Sequence, residues 1–241
     1  MPTIFISGAA SGIGLAFVQA YSTDTSNMII AVDKSPIPSQ CSESKVRTFA
    51  VDVASQHSIN SLALELKDMP IDLLIHSAGI RGLVPSIVDE RPNDVAAAET
   101  LEAMDIDTLM RTFQTNAAGT FMMIRALLPN LRLSTLETPK VVIMSSRMGS
   151  MSYNKSAGGA YAYRASKSAL NAIVRSFSID VPNIIFTMIH PGRVESGLTK
   201  CREEGAIEAD ESVDDMLPLI THLGKEASGR FFDRFGGEIG W

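Results

Sequence analysis

The chain has 241 residues, 45% apolar and 20% charged, enough to enclose one sizeable α/β core and small for two. Its 21 basic and 27 acidic groups leave a net charge of −6, which excludes the basic stripe that a nucleic-acid surface needs. The two cysteines, Cys41 and Cys201, have no metal-ligand spacing and make no disulfide framework, so a reducing compartment and no metal are expected.

In chain order, TIFIS (3–7), MIIAVD (28–33), VRTFAVD (46–52), IDLLIHS (71–77), KVVIMSS (140–146) and IIFTMIH (184–190) read as short buried strands. Between most of them lie helical stretches: one opening at Gly12, then 55–67, 105–128 and 160–179. This alternation predicts a single-domain, Rossmann-type doubly wound parallel sheet with helices on both faces, spanning residues 1–241. KSPIPSQCSESK (34–45) reads as a loop, and 79–100 as a long excursion with room for a short helix. The start of the chain runs directly into TIFISG without a charged leader, and no apolar run reaches the length of a membrane span, so a cytoplasmic protein with no membrane contact is expected.

The first strand leads into SGAASGIG, with Gly8, Gly12 and Gly14 at the start of a helix. Glycines let backbone approach a ligand closely, and the exposed N–H groups of a helix start favour a pyrophosphate. The second strand ends at Asp33, whose carboxylate can accept from both ribose hydroxyls of an adenosine and repels a 2′-phosphate. The third ends at Asp52. Singly, these are a tight turn and two solvated acids; together, at successive strand ends, they mark the crevice where open α/β sheets bind ligands.

YAYRASKSAL (161–170) places Tyr163 and Lys167 four residues apart, on one helix face, whereas Tyr161 falls on another. A phenol has a pKa near 10, and a neighbouring ammonium favours its ionised form. A phenol so tuned can give a proton to a carbonyl oxygen or take one from an alcohol.

With the glycine loop, these motifs resemble the short-chain dehydrogenase/reductase family: HSAG at 76–79, Asn116 in NAAG, the serines of IMSSRMG, Tyr163-x-x-x-Lys167 and HPGRVES at 190–196. SGRFFDRFGGEIGW and GGAYAYRASKSALN are similar to its C-factor-like branch. The resemblance implies a catalytic set: Tyr163 as acid/base, Lys167 lowering its pKa and binding the nicotinamide ribose, a serine holding the substrate oxygen, and Asn116 joining a proton relay. Ser145, Ser146 and Ser150 are the candidate serines; Ser146 fits the family's Ser-x-x-Gly, with the others supporting the turn. The resemblance further implies NAD held by Gly8, Ser11, Gly12, Ile13, Gly14, Asp33, Asp52, Val53, Ala78, Gly79, Tyr163, Lys167, Pro191, Gly192, Val194 and Ser196. NAD is expected over NADP, since Ser11 stands where NADP-preferring relatives often carry a base. His76 and Ser77 replace the family's usual pair of asparagines, and His76 and His190 read as packed strand residues.

The function implied is hydride transfer between NAD(H) and a carbonyl/alcohol substrate, in a homodimer or homotetramer. Alternatives are an NAD(H)-binding signalling protein without turnover, or a dehydratase or isomerase on the same fold. Arg81, Arg147 and Arg193 stand just past three strand ends, which suits an anionic substrate unless nearby acids such as Asp89, Glu90 and Glu195 take them.

Overall fold

The computed structural model describes residues 2–38, 45–155, 158–199, 201 and 203–241; Cys41 lies outside them. Seven strands, β1 (Thr3–Ser7), β2 (Met28–Asp33), β3 (Val46–Ala50), β4 (Leu73–His76), β5 (Lys140–Met144), β6 (Ile185–His190) and β7 (Phe231–Asp233), form one sheet in the order β3-β2-β1-β4-β5-β6-β7. Every neighbouring pair is parallel, from Thr3↔Met28 at the centre to His190↔Asp233 at the edge.

Side chains alternate along each strand, so the two sheet faces receive different residues. Phe5, Ile30, Val32, Val141, Ile143 and Phe186 face one way. They pack with Ile59 and Leu62 of helix α2 (Gln56–Glu65), with Ile124 and Leu127 of a later helix, and with Leu170 and Val174 of another. Ile4, Ile6, Ile29, Ala31, Val142 and Ile189 face the other way, against Phe17 and Val18 of α1 (Gly12–Ser22) and Val213, Met216 and Ile220 near the C-terminus. Fully burying one such Phe or Leu stabilises the fold by about 1.5–3 kcal/mol. Both faces are therefore covered, as the pattern of buried strands predicts.

Three differences from the sequence reading have physical causes. β3 is not buried: it ends at Ala50 and its residues are exposed or half-exposed, because it is an edge strand paired with β2 alone. The expected helix 105–128 is α4 (Ile106–Phe113), a π-turn (Gln114–Ala118) and α5 (Gly119–Arg132). The short α3 (Pro85–Glu90) lies in the excursion before them, followed by a 3₁₀ turn at Ala96–Glu99. Helix α6 (Tyr161–Asp180) matches its expected span closely. Helix α7 (Ala209–His222) and β7 fell outside the sequence reading: α7 opens on Ala-Asp-Glu and holds Pro218, and β7 has only three residues. No described helix is long and apolar enough to cross a membrane.

Candidate active site

The strand order reverses at β1, between β2 and β4, and the site grows from the carboxyl ends of the strands around that point. The glycine loop turns from β1 into α1. A Cβ on Gly14 would stand 2.1 Å from the Gly8 carbonyl oxygen, so no larger residue lets the loop close this tightly. Gly8 and Gly12 take φ of 71° and 53°. Ser11 stands at the N-cap without capping through its side chain, and no acid occupies the first turn of α1. The helix start therefore keeps N–H donors uncapped and meets no local negative charge, which suits a phosphate-bearing ligand. Asp33 joins this loop: its Oδ2 accepts from Ala10 N–H at 3.1 Å and its Oδ1 from Ser35 N–H at 2.8 Å.

Two of the other expected cofactor residues lie against the loop. Ala78 lies against Gly8, and a Cβ on Gly12 would meet the Ser196 Cβ at 3.1 Å. Ile13 is half-buried beside them. Pro191 is buried, its carbonyl accepting from Ser212 Oγ at 2.7 Å, while Val194 bridges to Ile207 and Gly192 lines the neighbouring cavity. Asp52 lies past the end of β3, exposed, and accepts from its own Ala54 N–H at 2.9 Å. Val53 is buried in the core below.

The four expected catalytic side chains are all buried: Tyr163, Ser146, Lys167 and Asn116. Tyr161, two residues before Tyr163, is 39% exposed, as the helix-face argument requires. Asn116 sits in the π-turn, a widened helical turn of the kind frequent at functional sites. Its Nδ2 donates to Ile80 O at 2.8 Å and Ser166 Oγ at 3.0 Å, and its Oδ1 accepts from Ile80 N–H at 2.8 Å. Lys167 Nζ donates to Met144 O at 2.8 Å and lies 5.7 Å from the centre of the Tyr163 ring. Burial holds its pKa down at about 8.

Ser146 opens the turn Arg147–Gly149 after β5, where its Oγ accepts from Met148 N–H at 3.2 Å. That turn rests on α6: a Cβ on Gly149 would stand 2.8 Å from the Lys167 carbonyl carbon, and Ser168 Oγ donates to Gly149 O at 2.8 Å. This close approach sets Ser146 on the wall of the cavity that Tyr163 also lines. The alternatives face elsewhere. Ser145 Oγ donates to Asn171 Oδ1 at 2.6 Å, and Ser150 bonds Ser152 at 2.9 Å and the Gly240 carbonyl.

Ser146 and Tyr163 line a cavity of about 430 Å3, within the range of small-molecule sites. Arg81, Arg147, Arg164, Arg193 and Arg234 also line it, against Glu203 and Asp233. The arginines flagged by the sequence separate here. Arg81 does not pair with Asp89 or Glu90; it binds Glu99 through Nε and Nη2 at 2.8 and 2.9 Å. Arg193 donates to Glu204 O at 2.8 Å, and Arg147 lies over the Tyr153 ring, 5.2 Å from its centre.

The phenol's environment also departs from expectation. Burial pushes the Tyr163 pKa above 10, and the charge that draws it down most is Arg81, whose Cζ stands 4.9 Å from the ring centre. The sequence points to Lys167 for that effect; Glu99, in a 3₁₀ turn, and Glu203 carry no motif that marks them, and Asp233, at the end of β7, sits in SGRFFDRFGGEIGW without standing out as a site residue.

His76 is buried, and burial followed by the charge of Lys167 holds its pKa down at about 3. Ser7 Oγ accepts from Ser77 and Ala78 N–H at 3.2 and 3.3 Å, so its own proton goes to His76 Nδ1, 2.8 Å away. The ring hydrogen then sits on Nε2, which has no partner among the described residues.

These features define a Rossmann-type oxidoreductase. The family model described as short chain dehydrogenase matches residues 2–206, and the chain belongs to that family. It is 38% identical over 174 residues to the C-signal of Myxococcus xanthus, covering 71% of this chain and 93% of the relative. It is 32% identical over 197 residues to 1-hydroxy-2-glutathionyl-2-methyl-3-butene dehydrogenase of Rhodococcus sp. (strain AD45), covering 79% and 78%. Among solved structures it resembles the carbonyl reductase Sniffer of D. melanogaster, with TM-score 0.84, 25% identity and full coverage of both chains. NADPH-bound carbonyl reductase from chicken fatty liver aligns equally well, with TM-score 0.84, 26% identity and coverage of 100% and 99%.

Proposed function

We propose that the chain, folded as one domain, is an NAD(H)-dependent reductase or dehydrogenase acting on a carbonyl/alcohol pair that carries an anionic group. The observation that carries this reading is that Ser146 and Tyr163 line one cavity, with Lys167 and Asn116 buried close by. A bound nicotinamide would supply or accept the hydride. The glycine loop, Asp33, Ala78, Gly79 and the segment Pro191–Ser196 would hold the cofactor, with Lys167 reaching its ribose. Ser146 orients the substrate oxygen. Tyr163 gives that oxygen a proton in reduction and takes it back in oxidation. Asn116, bonded to Ser166 and the Ile80 backbone, holds the proton-relay end of the site in place.

Asp33 supports NAD as the cofactor, because a second negative charge on the adenosine ribose would meet its carboxylate. Arg147 supports an anionic substrate. It follows Ser146 directly, and its guanidinium lies over the Tyr153 ring, with no salt bridge to a carboxylate shown among the described residues. Across the cavity His190 is held down to about pKa 4, by burial and then by the charge of Arg147. The Rhodococcus relative, named for a glutathionyl, and so carboxylate-bearing, substrate, fits the same charge pattern.

Exposed apolar side chains Ile106, Met110 and Phe113 on α4 and Phe121 on α5 support a homodimer or homotetramer built on these helices. Sedimentation should then give a species larger than a monomer at micromolar concentration.

The function is tested by purified protein turning over matched ketones, one anionic and one its neutral amide, with NADH and NADPH. Turnover of the anionic ketone, weakened by Arg147→Met and by added salt, supports the reading. Cofactor fluorescence changes without turnover of any substrate would favour an NAD(H)-binding signalling role.

A further inference from the structure

We propose that Arg81 and Glu99 are positioning residues for Tyr163: their ion pair holds a fixed charge against the phenol ring, and the Glu99 backbone fixes the start of the helix that carries it. The inference rests on the reading of Tyr163 as the acid/base and adds to it a pair of loop residues outside the family's motifs.

Arg81 and Glu99 lie 18 positions apart, in the loop after β4 and in the 3₁₀ turn at Ala96–Glu99. Their two hydrogen bonds form a planar fork, and both side chains are only 12% exposed. That bidentate geometry leaves the guanidinium one orientation. In it the Arg81 Cζ lies 4.9 Å from the centre of the Tyr163 ring, nearer than the 5.7 Å of the Lys167 ammonium. A cation fixed beside a buried phenol favours the phenolate, and a nearby carboxylate opposes it.

Glu99 acts on the same tyrosine by a second route. Its backbone carbonyl accepts from Ala160 N–H at 2.8 Å. Ala160 is the residue before α6 and has φ 50°, a left-handed conformation that an alanine keeps only where its surroundings hold it. One residue thus fixes the first turn of α6 through its backbone and the arginine over the ring through its side chain. The turn of α6 so held contains Tyr163.

The charges that act on the phenol are Arg81 and Glu99 from the segment after β4 and Glu203 after β6, with Lys167 of α6 5.7 Å from the ring; Arg147, Arg164, His190, Arg193, Asp233 and Arg234 line the same cavity. Burial raises the Tyr163 pKa, Arg81 lowers it, and Glu99 and Glu203 raise it. The two members of the pair therefore act on the phenol with opposite signs, so removing either charge moves its ionisation in a direction fixed in advance.

The test reads ionisation without substrate or cofactor. The full chain, labelled with 13Cζ-tyrosine, is titrated by NMR, and the Tyr163 signal is assigned with Tyr163→Phe. Glu99→Gln keeps the backbone bond to Ala160 and should let Tyr163 ionise at lower pH, with an ionisation constant about tenfold larger. Arg81→Met should move it the opposite way by a similar factor, and Arg81→Lys should lie nearer wild type. Should Arg81→Met fail to fold by circular dichroism, Glu99→Gln and Arg81→Lys still decide the matter. A phenol in Glu99→Gln that does not ionise at lower pH than in wild type overturns the proposal, as do shifts of one sign in both charge-removing variants. Absence of turnover in every variant and in wild type would count against the catalytic reading alone, since the NMR titration stands without it.

Discussion

Asn116 and Ile80 exchange two hydrogen bonds, each 2.8 Å, as if the side-chain amide were one more residue of a β-ladder. The π-turn around Asn116 is tied in this way to the loop that leaves β4. Replacing Asn116 by Leu removes both bonds and strands the Ile80 N–H and C=O. A loss of about 2 kcal/mol in urea unfolding is expected. Activity should fall much further than stability, because the same loop carries Gly79 and Arg81. An Asn116→Leu protein with wild-type turnover would show that the tie is structural only.

Tyr163→Phe should reduce kcat by about 10²–10⁴-fold while leaving cofactor affinity nearly unchanged. The ring still packs, but the transferable proton is gone. Tyr161→Phe, at an exposed position, should stay within about twofold of wild type. Steady-state kinetics and cofactor fluorescence titration check both. The opposite ranking would mean that α6 presents a different face to the substrate.

Asp33→Ala should narrow the preference for NAD over NADP by about tenfold in kcat/KM, since the carboxylate that would meet a 2′-phosphate is removed. The variant also loses the acceptor for Ala10 N–H, so some activity with NAD should be lost as well. Equal use of the two cofactors by the wild type would contradict the assigned role of Asp33.

His76 makes stability depend on pH in a defined direction. Its folded pKa, about 3, lies below the ordinary 6.5. Between those values the unfolded chain binds the proton and the folded chain does not. The contribution is therefore fully present above pH 6.5 and is lost as pH falls toward 3, with a slope of up to about 1.4 kcal/mol per pH unit. His76→Asn should flatten that part of the curve, measured as urea unfolding free energy against pH. An unchanged slope would mean that other groups, His190 among them, account for the acid sensitivity.

Much of the fold and of the candidate site is legible in the sequence because it is written locally. The glycine loop, the acid at the end of β2 and the Tyr163–Lys167 spacing each sit within one element and obey its period. What was not legible depends on where the chain returns. Arg81 reads either as a cation for an anionic substrate or as a partner of Asp89 or Glu90, whereas the turn that folds over it brings Glu99, 18 residues later and without a motif. β3 looks like an interior strand by composition, yet its place at the sheet edge leaves it exposed. The π-turn leaves no mark on a helical pattern, since it adds one residue to a turn that otherwise keeps its apolar stripe. α7 escapes notice because its core positions, Val213, Met216 and Ile220, are separated by Asp214, Asp215 and Pro218.

The central claim is that hydride passes between a nicotinamide and a carbonyl carbon in this cavity with Tyr163 handling the proton. The direct measurement incubates the protein with NADH deuterated at the transferable position and an anionic aryl ketone, then locates the deuterium by mass spectrometry and NMR. One deuterium is expected on the carbinol carbon of the product, formed by wild type and nearly absent with Tyr163→Phe. Product free of deuterium, or equal labelling by the Tyr163→Phe variant, would contradict it.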